Sequence, residues 1–361
     1  MWIAPDTSGH VRTLINRYGW NTLACQSLLP QMGYWFAPDG AATVGYVASA
    51  RRWIAAGEPL CAPERLASSA LAFAATARQQ RQRACFFGAQ ERLRAALADQ
   101  PGFASLLIGA QPLWDPQRWP ELLKRQASLR AQIARARNKG LHVTPLPVEC
   151  AAHDPELRQC LADWLHRRGL PPLHFLVEPD SLAYPGDQRV LVARRAGLVV
   201  GYLVALPIPQ RQGWLVQQIV RSQHALNGTA ELLVDATMRA AANQGATLVT
   251  LGFTPLAHLN AATAPTAPAL VRFVFTAMRK HGQAFYNFAG LEAFRTRLHP
   301  EAWEPIYALC DEPHISVTTL YALVAAFGGS PPPRFLGRAV LRAAMVYWQE
   351  CAMRARRRRG S

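Results

Sequence analysis

The chain has 361 residues, half of them hydrophobic, and a formal charge of +16 at pH 7. It is too long for one small domain and carries enough apolar material for a sizeable core, in two units of about 150 residues and a tail. Seven cysteines at 25, 61, 85, 150, 160, 310 and 351, with no CxxC pair and no Cys/His spacing, exclude a disulfide framework and a zinc motif.

No run reaches the roughly 18 apolar residues that a spanning helix needs. The start has no signal-peptide pattern, so a reducing, cytoplasmic setting is expected. The arginine-dominated charge either reflects an arginine-rich composition throughout or calls for an anionic partner. Such a partner is a phospholipid surface, a nucleic acid or a phosphate-bearing co-substrate.

In chain order, residues 1–17 read as a lead-in with a short helix. Residues 21–47 read as β-rich, with a hairpin about Pro38-Asp39-Gly40. A strand follows at 53–60, with a Gly57-Glu58-Pro59 turn. An Ala-rich helix spans 62–83, a strand 84–89, a helix 91–99 and a strand 105–112. Residues 122–139 read as one basic helix, bearing Lys124, Arg125, Arg130, Arg135, Arg137 and Lys139. It is read as phosphate-holding or as a solvated face.

The second half begins with a strand at 142–147 and a helix at 154–169. Strands follow at 189–195, 198–207 and 213–221. Asn227-Gly228-Thr229 opens a helix over 230–243, and a strand at 247–251 comes next. Strand, hairpin, strand, loop, helix, strand is the order of a GNAT (N-acyltransferase) core. The helix start at Asn227 and Gly228 offers unpaired N–H donors to a phosphate, or it is a plain turn and cap. The Arg/Gln-x-x-Gly-x-Gly/Ala loop of acetyl-CoA users is missing.

After Gly252 and Pro255 comes an Ala/Thr/Pro loop, then a helix bearing Arg272, Arg279 and Lys280, then a polar–aromatic run. Residues 313–361 read as a basic amphipathic tail, with an apolar stretch at 317–327, a helix at 335–353 and arginines at 354–359. That tail either lies on an anionic membrane or packs back on the domain.

The segments LGFTPLA (251–257), YNFAGL (286–291), FRTRL (294–298) and WEPIY (303–307) resemble the C-terminal catalytic domain of the lysylphosphatidylglycerol synthase family. Weaker likeness reaches Gly57-Glu58-Pro59 and residues 135–140, so the resemblance covers roughly 18–310. It implies an α/β (α+β) fold of tandem GNAT-like domains with mixed sheets, over 1–147 and 148–312. It also implies a stand-alone relative without the membrane-spanning flippase, sited at the inner face of the cell membrane.

The implied reaction needs no bound cofactor. Its co-substrate is aminoacyl-tRNA or acyl-CoA, and its acceptor is a membrane lipid such as phosphatidylglycerol. No nucleophile motif is present, so the acceptor attacks the activated donor directly.

The residues expected to act are Arg221, His258, Tyr286 and Asn287 in catalysis, and Gln218, Asn227, Gly228, Arg295, Arg297 and Glu304 in substrate binding. Arg295 and Arg297 suit a lipid or tRNA phosphate. Glu304 is expected to salt-bridge Arg295. Lysyl-transferring relatives carry Asp-x-x-Arg on the third strand, where this chain has Gln218-Ile219-Val220-Arg221. A neutral Gln218 and Ala289 put charged-aminoacyl specificity in doubt. Two other readings stay open: an acyl-CoA- or acyl-carrier-protein-dependent N-acyltransferase acting on an amino lipid or other amine, and a non-catalytic module that binds a lipid surface.

Overall fold

The computed structural model describes residues 5–167, 175–176, 178–183, 186–257 and 288–328. The strands are β1 Gly33–Phe36, β2 Thr43–Ser49, β3 Arg52–Ala56, β4 Arg83–Ala89, β5 Ala104–Trp114, β6 Leu141–Leu146, β7 Arg189–Arg195, β8 Leu198–Ile208, β9 Gly213–Arg221, β10 Leu248–Thr250, β11 Thr254–Pro255 and β12 Ala302–Cys310. The helices are α1 Pro5–Tyr18, α2 Leu66–Gln79, α3 Glu91–Ala96, α4 Trp119–Arg125, α5 Ala127–Asn138, α6 Val148–His153, α7 Pro155–Arg167, α8 Thr229–Asn243, α9 Phe288–Thr296 and α10 Val317–Gly328.

All described strands join one mixed sheet, in the order β1-β2-β3-β4-β12-β5-β10-β9-β8-β7-β6, with β11 beside β5. Two pairs are parallel among the described strands, β3–β4 and β9–β10. Each is bridged by a helix, α2 and α8, because a parallel pair needs a crossover. The chain thus builds the same β–α–β fork twice, as the expected tandem order requires.

Both sheet faces are covered, and the period-two alternation of the strands shows how. On β7, Val190 and Val192 pack with Leu157, Cys160 and Leu161 of α7. Their neighbours Leu191 and Ala193 pack with Leu233 and Met238 of α8 and Leu129 and Ile133 of α5. In the first half, Ala70, Phe73, Ala74 and Ala77 give α2 a flat apolar stripe against Ile54's neighbour Ala55 and Phe86.

Several expectations change. Residues 24–28 form a 3-10 turn rather than a strand. The strand expected to run to 60 ends at Ala56, since Gly57 sits at φ +76°. The basic helix breaks at Gln126 (φ −102°, ψ 80°). Arg130 holds that break by donating to the carbonyls of Leu123 (3.0 Å) and Lys124 (2.7 Å). Arg137 of α5 pairs with the fully buried Asp235 of α8, which also accepts from Trp119 Nε1 at 2.9 Å and Arg239 Nε at 3.1 Å. Two of the basic residues therefore serve helix packing.

WEPIY forms β12, a strand the pattern did not announce, inserted between β4 and β5 of the first half. The apolar stretch of the expected tail becomes α10. Its Ala322 and Leu323 are buried, and Phe327 packs edge-on against Phe87 and Phe175 at 5.0 and 5.3 Å. Arg52 fastens its start through Glu312 (3.3 Å), Thr318 (3.0 Å) and Thr319 (2.9 Å). The rest of the tail and the helix expected to carry Arg272, Arg279 and Lys280 lie outside the described residues. Among the described residues, no helix is long and apolar enough to cross a membrane.

Candidate active site

The two forks differ in what fills them. In the first, Gly57 and Gly88 both take positive φ where β3 and β4 part. Asn21 sits between them, donating to Gly88 O at 2.9 Å and accepting from Leu23 N at 2.8 Å. A Cβ on Gly57 would lie 2.5 Å from Asn21 Oδ1, and one on Gly88 2.2 Å from Leu23 Cδ1. Glu58, 3% exposed, accepts from Gln90 N (2.8 Å) and from Arg92 Nε (2.5 Å). This fork is plugged by its own chain.

Below it lies a polar centre on β12 and β5. Glu304 Oε2 accepts from Gln111 Nε2 (2.6 Å), Gln90 Nε2 (2.8 Å) and Arg211 Nη1 (2.8 Å). Gln111 is fully buried and takes the Thr22 hydroxyl at 3.1 Å. The expected Glu304–Arg295 bridge is thus replaced by Glu304–Arg211. Arg211 lies far off in sequence, between β8 and β9, and no local spacing points to it. It and Arg92 also flank the Trp20 ring, at 5.4 and 5.3 Å. Together these contacts tie the two halves.

The second fork carries the expected residues. Gln218, midway along β9, donates to Pro179 O at 2.9 Å and accepts from the Ser181 hydroxyl. Its amide holds the 178–183 loop. Arg221 closes β9 exposed to solvent. Its carbonyl accepts from Arg167 (2.6 Å), while its guanidinium has no bond among the described residues.

Asn227 is exposed. Gly228 is buried, caps α8 at φ +96°, and would place a Cβ 3.0 Å from Gln132 O and 3.1 Å from Ala136 Cβ of α5. Glycine is needed there for the approach of two helices.

Past the fork, LGFTP is held by FRTRL. Arg295, 8% exposed, donates to the carbonyls of Leu251 and Phe253 (2.8 Å) and to the Thr254 hydroxyl. The phosphate role expected of Arg295 gives way to this one, because its guanidinium is turned inward onto backbone. Thr254 and Pro255 then pair with Ala110 and Gly109, where Gly109 leaves space for Thr254 O.

Arg297 points the other way. It is exposed and lines a cleft of about 220 Å³ with Ser128, Leu129, Gln132, Glu231 and His299. Glu231 escaped the sequence reading because an acid in a helix's first turn is commonplace. His258, Tyr286 and Asn287 lie outside the described residues. Among the described residues no group of His, Cys, Asp and Glu is placed to hold a metal ion.

Fold and motifs together define a double-fork α/β protein. The chain belongs to the phosphatidylglycerol lysyltransferase, C-terminal family, whose model matches residues 12–310. It is 25% identical over 321 residues to the phosphatidylglycerol lysyltransferase of Bacillus subtilis (strain 168), covering 88% of this chain and 36% of that protein. The chain thus spans little more than a third of that relative's length.

Among solved structures it is similar to the C-terminal domain of a lysylphosphatidylglycerol synthetase from Agrobacterium fabrum. The TM-score is 0.76 at 22% identity, over 90% of this chain and 98% of that one. It is also similar to L-PGS from Bacillus licheniformis, with a TM-score of 0.74 at 18% identity, over 88% and 95% of the two chains. These likenesses confirm the fold.

Proposed function

We propose that the chain is a transferase that moves an aminoacyl group from aminoacyl-tRNA to a membrane lipid such as phosphatidylglycerol. The observation that carries this reading is the family match over residues 12–310. The charge of +16 suits a surface that meets both a nucleic acid and an anionic lipid. In this reading the protein works peripherally at the inner face of the membrane.

The ester donor is already activated. The protein's task is to align donor and acceptor, pass on a proton and steady the developing oxyanion. Arg221, exposed at the end of β9, meets the anionic end of a substrate. His258, Tyr286 and Asn287 route the proton and orient the acceptor. Gln218 supplies no carboxylate for a lysine ammonium, and its amide is spent on Pro179 and Ser181. A neutral aminoacyl group such as alanyl therefore fits better than lysyl.

Use of acyl-CoA is disfavoured by the missing Arg/Gln-x-x-Gly-x-Gly/Ala loop before α8.

The test mixes the purified protein with tRNA charged with labelled alanine or lysine and with phosphatidylglycerol vesicles. The reading expects labelled lipid, alanine above lysine, and loss of label after ribonuclease treatment. Labelling that proceeds from acyl-CoA and ignores ribonuclease would contradict it.

A further inference from the structure

The cleft that Arg297 lines holds an unusual carboxylate. Glu231 stands in the first turn of α8 and is 8% exposed. No hydrogen bond or ion pair reaches it from the described residues, and it faces the cleft. Its carboxylate opens onto the cleft at the positive end of the α8 dipole.

Arg297 lines the same cleft and is exposed, and among the described residues it has no ion pair with Glu231 or with any other carboxylate. Leu129 and Phe294 add apolar lining, and Gln132 adds one hydrogen-bonding amide. One separated negative and one separated positive group, facing a common space, are complementary to a ligand with both charges.

We infer that this cleft binds a compact zwitterion, its ammonium against Glu231 and its acidic group against Arg297. At about 220 Å³ the cleft suits a molecule of amino-acid or headgroup size, below the usual range for larger ligands. A free amino acid and the headgroup of an amine-bearing phospholipid share this chemistry. The site goes beyond the transfer reaction proposed above, and equilibrium binding tests it without any turnover.

The experiment is calorimetric titration of the full chain with L-alanine and with O-phosphoethanolamine, using methylamine and inorganic phosphate as single-charge controls. At least one zwitterion should bind one-to-one and more tightly than either control. E231Q and R297Q should each weaken it by about tenfold or more. Binding of alanine alone assigns the site to amino acids. Binding of phosphoethanolamine alone assigns it to lipid headgroups.

Should E231Q fail to fold by circular dichroism, R297Q decides, because Arg297 is at the surface and its loss removes no packing. Failure of both zwitterions to bind, or binding undiminished in R297Q, overturns the inference.

Discussion

At the scale of single residues, Gly228 and Glu304, both expected to bind substrate, serve architecture. Gly228→Ala would force an L side chain into φ +96° and against Gln132 O at 3.0 Å. Backbone strain of this kind costs roughly 1–3 kcal/mol, so the urea midpoint should drop with an unchanged slope. An unchanged midpoint would show that α5 yields easily.

Glu304→Gln would remove the countercharge of Arg211, whose side chain is only 12% exposed. The two glutamine donors would still find an oxygen. An unsatisfied, largely buried charge costs on the order of 1–3 kcal/mol, to be read from the same melt. A variant as stable as the parent would mean that Arg211 simply turns out to water.

At the scale of elements, the α5–α8 pair rests on Asp235, which joins Trp119, Arg137 and Arg239. Asp235→Ala should orphan the buried Trp119 indole N–H and free two guanidiniums. A loss of roughly 1–3 kcal/mol is expected, visible in thermal melts and as altered Trp fluorescence. No loss would place the holding force in the apolar contacts instead.

Elements with a plain period were legible. The α2, α7 and α8 helices and the β7–β8–β9 strands follow from apolar spacing that no turn residue interrupts. The break at Gln126 was not legible, because every residue nearby favours helix and the stop comes from Arg130 folding back onto Leu123 and Lys124. Nor was β12, since Pro305 within a strand argues against one, yet it lies in the sheet between β4 and β5.

Of the candidate site, the motifs were found and their partners were not. Arg295 and Glu304 were read as neighbours from spacing, whereas Arg295 meets Leu251 and Phe253 and Glu304 meets Arg211 across long sequence separations.

At the scale of the whole molecule, buried thiols and phenols set the response to base. Burial pushes Cys25 and Cys160 up to about 12 from 9.0, and Tyr34 up to about 12 from 10.0. The folded chain keeps these protons where the unfolded chain has lost them. Above about pH 9 it binds more protons than the unfolded state, so its stability falls as pH rises.

The melting temperature should decline steadily from about pH 9 upward, and one that rises there would contradict the assignment. The same burial keeps these thiols protonated and slow to alkylate near neutrality, while Cys150, which is exposed, reacts before them. Peptide mapping after brief alkylation checks the order.

The activity proposed for this member of the phosphatidylglycerol lysyltransferase C-terminal family is transfer of an aminoacyl group to a membrane lipid. Lipid mass spectrometry of cells with and without the gene tests that most directly. The account predicts that aminoacylated phosphatidylglycerol, alanyl rather than lysyl, is present with the gene and lost without it. An intact set of aminoacylated lipids in its absence, with an N-acylated amino lipid disappearing instead, would contradict it.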